Sequence, residues 1–508
     1  MKSGNRVFDS PIVKALWLVS LPALSLGTAR AAAGSCESLA RLKTPHVLVS
    51  LATEVSSGHL NGADRRSDLT GLPPFCRVVV QISPTVDSRI GAEIWLPVTG
   101  WNKKFLAVGS GGWGGAISYH ELAEGLNRGY AVAATDDGHR GAGASFLLGH
   151  PEKLIDYAYR AEHETTLEAK RLIEALYGQI PAHSYWSGCS GGGREGLLQA
   201  ARYPTEFDGV VAGDPANIRR NAWALSLAVQ TFKDPSAYIP PEKYPMIHQA
   251  VLNACDAIDG LRDGLIEEPE RCQVNFRVLE CKGADIPTCL TPRQVQSAQA
   301  LISPLKSSTG KILFPRLEPG TELRWARLAG GPEPASLFLD EYRYVVFANP
   351  NWDWRTFDLD RDAAKAHAID SHVDEFDPNL TAFANRGGKM LIYHGWADQQ
   401  VAPGSSIDFY DAARERSPVN HPADDWIRLF MAPGMGHCQG GEGPDTFDAL
   451  GALEQWVEKG RAPERIIASQ LSNGQVVRTR PLCPYPQFAR YDGKGNPNDA
   501  ASFMCRSP

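Results

Sequence analysis

The stretch SYWSGCSGGGREG, residues Ser184–Gly196, decides how the chain around it folds. The preceding letters HSYWSG predict a short strand, and GREGLLQAARYP predicts a helix that ends at Pro204. Between them Gly188, Ser190 and Gly192 form the pattern G-x-S-x-G. In a strand-turn-helix context this pattern predicts a nucleophile elbow, whose turn is too tight for side chains at the glycine positions. The alternative is a glycine-rich loop with an incidental serine, because the pattern alone often occurs by chance.

The sequence on both sides of this corner alternates between strands and helices. CRVVVQI and GAEIWLPV predict a hairpin, and KKFLAVGSGG, GYAVAATDDGH and DGVVAGDP predict further strands. AEHETTLEAKRLIEALYG predicts a helix, and the alternation resumes late in the chain with GKMLIYHGWAD, DWIRLFMAPGMGH and FDALGALEQWVEKG. Such alternation predicts an α/β fold with a mostly parallel, doubly wound sheet, here of the α/β-hydrolase type.

The alternation is lost between about residues 217 and 377, in a segment rich in Pro, Trp and Asp that contains four cysteines. We therefore expect a core interrupted by a large insertion. The expected division is a signal peptide at 1–33, a first part of the core at 34–216, a lid domain at 217–376 and a second part of the core at 377–508.

The N-terminus has the composition of a secretory signal peptide. Lys2, Arg6 and Lys14 precede and flank the apolar run ALWLVSLPALSLG, and the small residues TARAAAGS follow it. We expect cleavage near Ala31 to Ala33, and export to the periplasm or the medium. A membrane anchor is the alternative, but this run is shorter than the roughly 20 apolar residues that span a bilayer.

Charge and cysteine content limit the partners and the redox compartment. The formal net charge is −7, which argues against nucleic acid or an anionic membrane as a partner. The ten cysteines are an even number in a chain expected to be exported, which favours five disulfides over metal sites. Cys255 with Cys272, Cys281 with Cys289 and Cys483 with Cys505 are near enough in sequence to form local loops.

Two later strands end in residues that complete a catalytic triad with Ser190. Asp398 follows KMLIYHGWAD and His437 follows RLFMAPGMGH, in the chain order Ser, Asp, His of this fold. His437 would accept the serine proton, and Asp398 would hold the imidazole in the required tautomer. His394 is expected to line the substrate pocket, or equally to be a structural core histidine. His139 is expected to form hydrogen bonds in a loop rather than to act as the base.

The glycines of GSGGWGG, residues Gly109–Gly115, admit two readings. They contain G-x-G-x-x-G after a strand, and Asp136 and Asp137 follow at the spacing of a dinucleotide-binding fingerprint. A hydrolase of this fold also needs a loop in this position to complete the oxyanion hole. Because a candidate triad follows, we favour the oxyanion loop, with the backbone N–H groups of Gly112 and Gly191 as donors.

A cysteine neighbours each of two residues that must meet for catalysis: Cys189 precedes Ser190, and Cys438 follows His437. A disulfide between them would fasten the serine corner to the histidine loop. The alternative is a pair of buried thiols, which is less common in exported proteins.

These elements together resemble the tannase and feruloyl esterase family, secreted α/β hydrolases that include a bacterial mono(hydroxyethyl) terephthalate hydrolase. The resemblance rests on GCSGGGREG, FDGVVAGDP, LIYHGWADQ, MAPGMGHCQGG and TRPLCPYPQFARYDGKG, which extend over nearly the whole mature chain. It implies the triad Ser190, Asp398 and His437. It also implies five disulfides, Cys189–Cys438, Cys36–Cys76, Cys255–Cys272, Cys281–Cys289 and Cys483–Cys505.

The insertion contains an acidic loop, CDAIDGLRDGLIEE, with Asp256, Asp259 and Asp263. The residues alone leave a calcium site and a solvated turn equally open, because carboxylates and turn carbonyls suit Ca²⁺ but do not require it. The family resemblance implies structural calcium, bound by the three aspartates and by the carbonyls of Leu261 and Leu265. No organic cofactor is expected.

The expected activity is hydrolysis of small aromatic esters through an acyl-enzyme. The aromatic stretch LDEYRYVVFANPNWDWRTFD could form a stacking wall for the acyl group or the core of the lid. It resembles feruloyl esterases more than the terephthalate hydrolase, whose carboxylate-binding arginine has no obvious counterpart here. Hydroxycinnamate esters are therefore expected first and gallate esters second. A non-catalytic phenolic-binding protein, an NAD-dependent oxidoreductase and a peptidase are the other hypotheses.

Overall fold

The central element of the fold is a nine-stranded sheet. The computed structural model describes Met1 and residues 34–508, except 65–66, 218, 327–330, 332 and 375–376; the predicted signal peptide thus lies outside the described residues, apart from Met1. The nine strands are β1 (Val47–Val55), β2 (Phe75–Ile82), β3 (Ile90–Pro97), β4 (Lys104–Val108), β5 (Ala131–Thr135), β6 (His183–Cys189), β7 (Gly209–Gly213), β8 (Lys389–Gly395) and β9 (Ile427–Ala432). Their order across the sheet is β1-β2-β3-β5-β4-β6-β7-β8-β9.

Neighbouring strands pair in parallel across the larger part of the sheet, from β5 to β9 in this order, and antiparallel at the β1 edge. β4 pairs in parallel with both β5 and β6, and β7 pairs in parallel with both β6 and β8. The β2–β3 pair is the predicted hairpin. The predicted α/β class with a mostly parallel sheet is confirmed.

Both faces of the sheet are covered by helices, so its central strands bury side chains on both faces. Alternate residues of β6 enter opposite cores: Trp186 packs with Leu197 on one face, and Tyr185 packs with Leu453 on the other. The helices are α1 (Tyr119–Asn127), α2 (Pro151–Ile155), α3 (Ala161–Tyr177), α4 (Gly191–Arg202), α5 (Arg219–Thr231), α6 (Tyr244–Cys255), α7 (Pro292–Leu301), α8 (Ser336–Asp340), α9 (Leu359–Asp374), α10 (Thr381–Asn385), α11 (Gly404–Glu415) and α12 (Ala449–Lys459). A π-helical turn, Asp156–Arg160, joins α2 to α3.

The segment between β7 and β8 has a core of its own, in which Trp223 and Trp325 are fully buried. A second cluster contains Tyr342, Trp352 and Trp354 from the aromatic stretch 339–358. These aromatic side chains therefore form the core of the inserted segment, which is one of the two roles considered for them.

Among the described residues, four further strand pairs lie outside the central sheet. They are His59–Asp64 with Ser67–Thr70, Leu305–Lys306 with Ile312–Phe314, Ile466–Ser472 with Gln475–Leu482, and Phe488–Tyr491 with Phe503–Arg506. In the described part of the chain, no helix has both the length and the apolar character needed to cross a bilayer.

Candidate active site

The corner between β6 and α4 holds Ser190 in a strained conformation. Its backbone has φ 60° and ψ −116°, a region that residues with side chains rarely adopt. A Cβ on Gly188 would lie 2.6 Å from the backbone of Gly192, and one on Gly192 would lie 3.0 Å from Cα of Gly109. The two glycines of the pattern are therefore required by close backbone contact, and the contact pushes the serine out of the sheet.

Ser190 lies in hydrogen-bond contact with His437, and His437 with Asp398. Nδ1 of His437 donates to Oδ2 of Asp398 at 2.7 Å, which fixes the tautomer of the neutral ring. Nε2 is then the acceptor for the Ser190 hydroxyl, at 2.8 Å. The structure thus brings together the three residues that the sequence predicted as a triad, in the geometry of a general base and its orienting carboxylate.

The carboxylate of Asp398 is buried but receives four hydrogen bonds. The backbone N–H groups of Gln400 and Val401 donate to Oδ1 at 2.7 and 2.9 Å, while His437 and His394 both donate to Oδ2. Burial alone would raise the pKa of this group. The two histidines and these bonds instead hold the Asp398 pKa well below its ordinary value, so the group stays ionised.

His394 does not line a pocket, contrary to the first of the two expectations. Its side chain is fully buried, and Nε2 donates to Asp398 and to the carbonyl of Val401, each at 3.1 Å. Nδ1 lies 2.7 Å from the hydroxyl of Ser406. His394 is therefore a core histidine that orients Asp398 from behind.

A disulfide links the two neighbours of the reacting residues. Cys189 is joined to Cys438, and Asp214 packs against it with Oδ2 3.4 Å from the Cys189 sulfur. Burial, together with the charge of Asp398, raises the pKa of Asp214 to about 8, although His394 opposes this shift. The structure also joins the other four pairs, Cys36–Cys76, Cys255–Cys272, Cys281–Cys289 and Cys483–Cys505.

The loop after β4 packs against the first turn of α4. Gly112 has φ 60°, and a Cβ on Gly191 would lie 3.5 Å from the backbone nitrogen of Gly112. Both glycines line the same narrow cavity beside Ser190. Two backbone N–H groups from separate elements thus lie close together, as an oxyanion hole requires.

Buried carboxylates support this loop from behind. Ser110 donates its backbone N–H to Glu195 at 3.0 Å, and its hydroxyl lies within hydrogen-bond distance of both Glu195 and Asp137. Glu162 is the third carboxylate of this cluster, beside Glu195 and Asp137. Oxygens of the three carboxylates lie within 4.8 Å of one another. Burial raises the pKa of all three, and the neighbouring charge of Glu195 raises those of Asp137 and Glu162 further. The cluster therefore shares protons.

The same contacts disfavour the dinucleotide reading of GSGGWGG. Asp136 accepts the backbone N–H groups of Gly91 and Gly138, and Asp137 is turned towards Ser110. Neither carboxylate is accessible to the ribose hydroxyl of a nucleotide, because Asp136 is only 4% exposed and Asp137 is 0% exposed.

His139 is a buried loop residue that takes no part in the triad, as expected. Its two ring nitrogens are buried with no hydrogen-bond partner among the described residues, and the ring stacks on Phe146 at 3.4 Å. Burial lowers the His139 pKa to about 4. The ring is therefore a neutral aromatic packing element.

The cavity beside Ser190 is lined by residues that sequence reasoning missed. Trp113 and Tyr157 form an aromatic wall with ring centroids 5.1 Å apart, and Arg220 and Asn221 of α5 lie in the same cavity. The hydroxyl of Tyr157 donates to the carbonyl of Gly112 at 2.9 Å, which ties this wall to the oxyanion loop. Trp113 falls within the motif GSGGWGG, but no motif marks Tyr157, Arg220 or Asn221, because the four residues come from three separate parts of the chain.

The acidic loop of the insertion offers only oxygen donors. Asp256 and Asp259 are buried, and their carboxylates cap the turn by accepting the N–H groups of Asp263 and Leu261 at 3.2 and 3.0 Å. Asp263 forms an ion pair with the buried Arg480. The donor set fits Ca²⁺ by its chemistry, since carboxylates and carbonyls suit hard cations, although Arg480 would share Asp263 with the ion.

Comparison with known proteins connects this geometry to a family. The family model described as "Tannase and feruloyl esterase" matches residues 76–506. An uncharacterised esterase of Xanthomonas campestris is 37% identical over 95% of this chain and 92% of its own length. A probable feruloyl esterase B-2 of Aspergillus terreus is 34% identical over 98% of this chain and 99% of its own. The crystal structure of feruloyl esterase B from Aspergillus oryzae superposes with a TM-score of 0.88 at 32% identity, covering 93% of this chain and 99% of that one.

Removing the disulfide beside the serine should reduce turnover beyond its effect on stability. The double variant Cys189→Ser/Cys438→Ser loses the covalent link between the corner and the histidine loop. A small displacement of His437 from Ser190 lowers kcat by roughly tenfold to a hundredfold. The measurement is kcat with p-nitrophenyl acetate, at a temperature where circular dichroism shows the variant folded.

The matched control is Cys483→Ser/Cys505→Ser, which opens a disulfide in the C-terminal strand pair. Both variants should melt at lower temperature than wild type. Only the Cys189/Cys438 variant should lose kcat, and an equal loss in both would show that the first disulfide has no special role in geometry.

The carboxylate cluster should make stability depend on pH. Folding raises the pKa of Glu162, so above about pH 4.3 the folded chain binds more protons than the unfolded chain. The contribution of Glu162 to the free energy of unfolding is therefore fully present below that pH, and it is lost as the pH rises through the folded-state pKa. Glu162→Gln removes this titration, and its melting temperature should fall less than that of wild type between about pH 5 and about pH 9.

The control for this experiment is Glu174→Gln, an exposed residue near the end of the same helix. It should follow the wild-type profile. If the melting temperatures of wild type and Glu162→Gln fall equally as the pH rises, the proton-sharing cluster is contradicted.

Proposed function

The chain belongs to the tannase and feruloyl esterase family and is a carboxylic ester hydrolase, and we propose that it hydrolyses esters of hydroxycinnamic acids through an acyl-enzyme on Ser190. The observation that carries this proposal is the contact of Ser190 Oγ with His437 Nε2 at 2.8 Å. The relatives described as feruloyl esterase B favour this substrate class.

In the first half of the reaction His437 acts as general base. Its Nε2 takes the Ser190 proton while Oγ attacks the ester carbonyl, and the ionised Asp398 stabilises the resulting imidazolium through Nδ1. The N–H groups of Gly112 and Gly191 stabilise the charge that develops on the carbonyl oxygen. His437 then gives the proton to the leaving alcohol, and Ser190 is left acylated.

In the second half a water molecule replaces the alcohol. His437 accepts a proton from this water, the hydroxide attacks the acyl carbon, and the proton returns to Ser190 as the acid leaves. The position of His394 supports this cycle, because its bond to Asp398 holds the carboxylate in place while His437 changes charge.

Two further features belong to this proposal. The N-terminal composition favours export to the periplasm or the medium. The oxygen-only donor set of Asp256, Asp259 and Asp263, with the carbonyls of Leu261 and Leu265, favours a structural calcium ion far from the triad in sequence. Bound calcium would supply charge neutralisation for the acidic loop and no step of the reaction.

Replacement of the proposed nucleophile should abolish ester hydrolysis. Ser190→Ala removes the hydroxyl that would form the acyl-enzyme, so kcat should fall at least about 10⁴-fold. The assay measures methyl ferulate, methyl gallate, mono(hydroxyethyl) terephthalate and p-nitrophenyl acetate with each enzyme. Ser187→Ala, on the same strand, is the control and should retain wild-type rates.

The same panel tests the substrate class. Wild type should have its highest kcat/KM on methyl ferulate. A higher value for methyl gallate or for the terephthalate ester would replace the proposed substrate class, and full activity of Ser190→Ala would overturn the nucleophile.

Calcium removal should lower the melting temperature of the holoprotein. A bound ion stabilises the folded state in proportion to its affinity, so dialysed wild type should contain calcium and should melt earlier in chelator. Asp259→Asn should reduce both the calcium content and the chelator effect. Asp353→Asn is the control, because Asp353 caps an exposed turn in the same way without neighbouring aspartates. No calcium in elemental analysis and no chelator effect would contradict the site.

A further inference from the structure

The loop that contains Gly112 is held on both sides by the segment that follows β5. After Gly112, the backbone N–H of Gly115 donates to the carbonyl of Asp136 at 3.0 Å. Before Gly112, the hydroxyl of Ser110 contacts the carboxyl group of Asp137. The position of the Gly112 N–H therefore depends on contacts that Asp136 makes through its backbone and Asp137 through its side chain.

The hydroxyl of Ser110 contacts two carboxyl groups but has only one proton to donate. Its oxygen lies 2.9 Å from Oε1 of Glu195 and within hydrogen-bond distance of Oδ2 of Asp137. If both carboxyl groups were ionised, one of these contacts would join two acceptors with no proton between them. One of the two groups is therefore a carboxylic acid that donates its own proton to the Ser110 oxygen.

The surroundings of the two carboxyl groups identify Asp137 as the acid. Glu195 accepts the backbone N–H of Ser110 at 3.0 Å and lies 3.4 Å from the guanidinium of Arg194, so a negative charge on Glu195 is stabilised. Oδ1 of Asp137 is buried and has no hydrogen-bond partner among the described residues. Burial and the neighbouring charge of Glu195 raise the pKa of Asp137 well above its ordinary value. Asp137 thus donates to Ser110, and Ser110 donates to Glu195.

The backbone of Asp137 is strained as well. Its φ of 58° lies in the left-handed region, which residues with side chains seldom adopt. Strain of this kind persists only where the surrounding structure fixes it, and it is common at functional sites.

We propose that Asp137 is a positioning residue of the oxyanion loop: in its acid form it donates a hydrogen bond to Ser110 and so places the N–H of Gly112, two residues further along the chain. The proposal rests on the proposed function, because that function assigns Gly112 to the oxyanion hole. It adds that the loop is held in the active position only while this proton is present.

Loss of the Asp137 proton would release the loop. An ionised Asp137 has no proton for Ser110, and its charge would lie beside that of Glu195. We therefore expect kcat to be complete while Asp137 is protonated and to fall as the pH rises through its folded-state pKa. The titratable and charged side chains that face Asp137 are Glu195 and Arg194 of α4, Glu162 of α3, Tyr157 of the π-helical turn, and Asp136 and His139 of its own segment.

The first test removes the hydroxyl between the two carboxyl groups. Ser110→Ala should lower kcat with p-nitrophenyl acetate by about tenfold to about a hundredfold and leave KM within about twofold, because oxyanion donors act on the transition state. The matched control is Ser297→Ala, which removes a buried hydroxyl that donates to the carbonyl of Ala237 in the inserted segment. Both variants should melt earlier than wild type, but the control should keep wild-type kcat.

The second test separates the hydrogen bond from the charge. Asp137→Asn keeps a donor for Ser110 but cannot ionise, so it should retain at least about a third of the highest wild-type kcat. Asp137→Ala, which has no donor, should lose as much as Ser110→Ala. Between about pH 5 and about pH 10 the kcat of wild type should decline on the high-pH side, and Asp137→Asn should lack this decline. Circular dichroism establishes that each protein is folded at each pH.

A second buried acid provides the comparison for this pH profile. Asp214 has a pKa raised to about 8 by burial, but it lies beside the disulfide of Cys189 and not beside Ser110. Asp214→Asn should therefore keep the high-pH decline of kcat.

Three results would overturn the proposal. The first is a kcat of Ser110→Ala equal to that of Ser297→Ala. The second is a wild-type kcat that stays constant at high pH while the protein remains folded. The third is a high-pH decline that Asp137→Asn retains or that Asp214→Asn removes.

An infrared measurement tests the proton without hydrolysis. At neutral pH exposed carboxyl groups are ionised, so the C=O band of protonated carboxylic acids comes from buried groups. Subtraction of the Asp137→Asn spectrum from that of wild type should leave such a band, which should weaken as the pH rises; no band in the difference would overturn the assignment. If Ser190→Ala keeps full activity, the proposed function fails, and this band still decides whether Asp137 is the acid.

Discussion

The active site depends on a steric constraint at which three stretches of backbone meet. Gly109, which directly follows β4, Gly188 near the end of β6 and Gly192 in the first turn of α4 approach closely: a Cβ on Gly109 or Gly188 would clash, and one on Gly192 would lie only 3.0 Å from Cα of Gly109. The same contact fixes Ser190 in its strained conformation and brings the Gly112 loop beside Gly191. Nucleophile and oxyanion donors are thus positioned together by backbone packing, which has little freedom to relax.

Buried charge around this corner is handled in three different ways. Asp398 remains ionised because four hydrogen bonds replace its hydration. Asp137, Glu162 and Glu195 share protons, and so avoid full ionisation behind the oxyanion loop. Arg220 has neither solution. Of these groups, only Arg220 lines the narrow cavity that also contains Gly112 and Gly191.

The sequence predicted those features that depend on local pattern or chain order. Strand and helix periodicity placed the sheet, and residues at strand ends identified Ser190, Asp398 and His437. Features that depend on tertiary contact were missed or left open. For His394 the sequence left a pocket wall and the core equally open, and only its hydrogen bonds to Asp398 and Ser406 decide for the core. Ser110, Asp137 and Glu195 meet from separate segments, and no spacing in the sequence marks their cluster.

The narrow cavity beside Gly112 and Gly191 is built jointly by the core and by the inserted segment. The core supplies Gly112, Trp113 and Tyr157, whereas Arg220 and Asn221 follow β7, where the chain enters the insertion. Contacts from deeper in the insertion hold both halves: Trp113 donates to the carbonyl of Leu337, and Asn221 donates to Glu341. Because the reacting groups are fixed by the glycine corner, substitutions in the insertion can change the surroundings of the site without moving the nucleophile. Reaction and specificity are therefore physically separable in this fold.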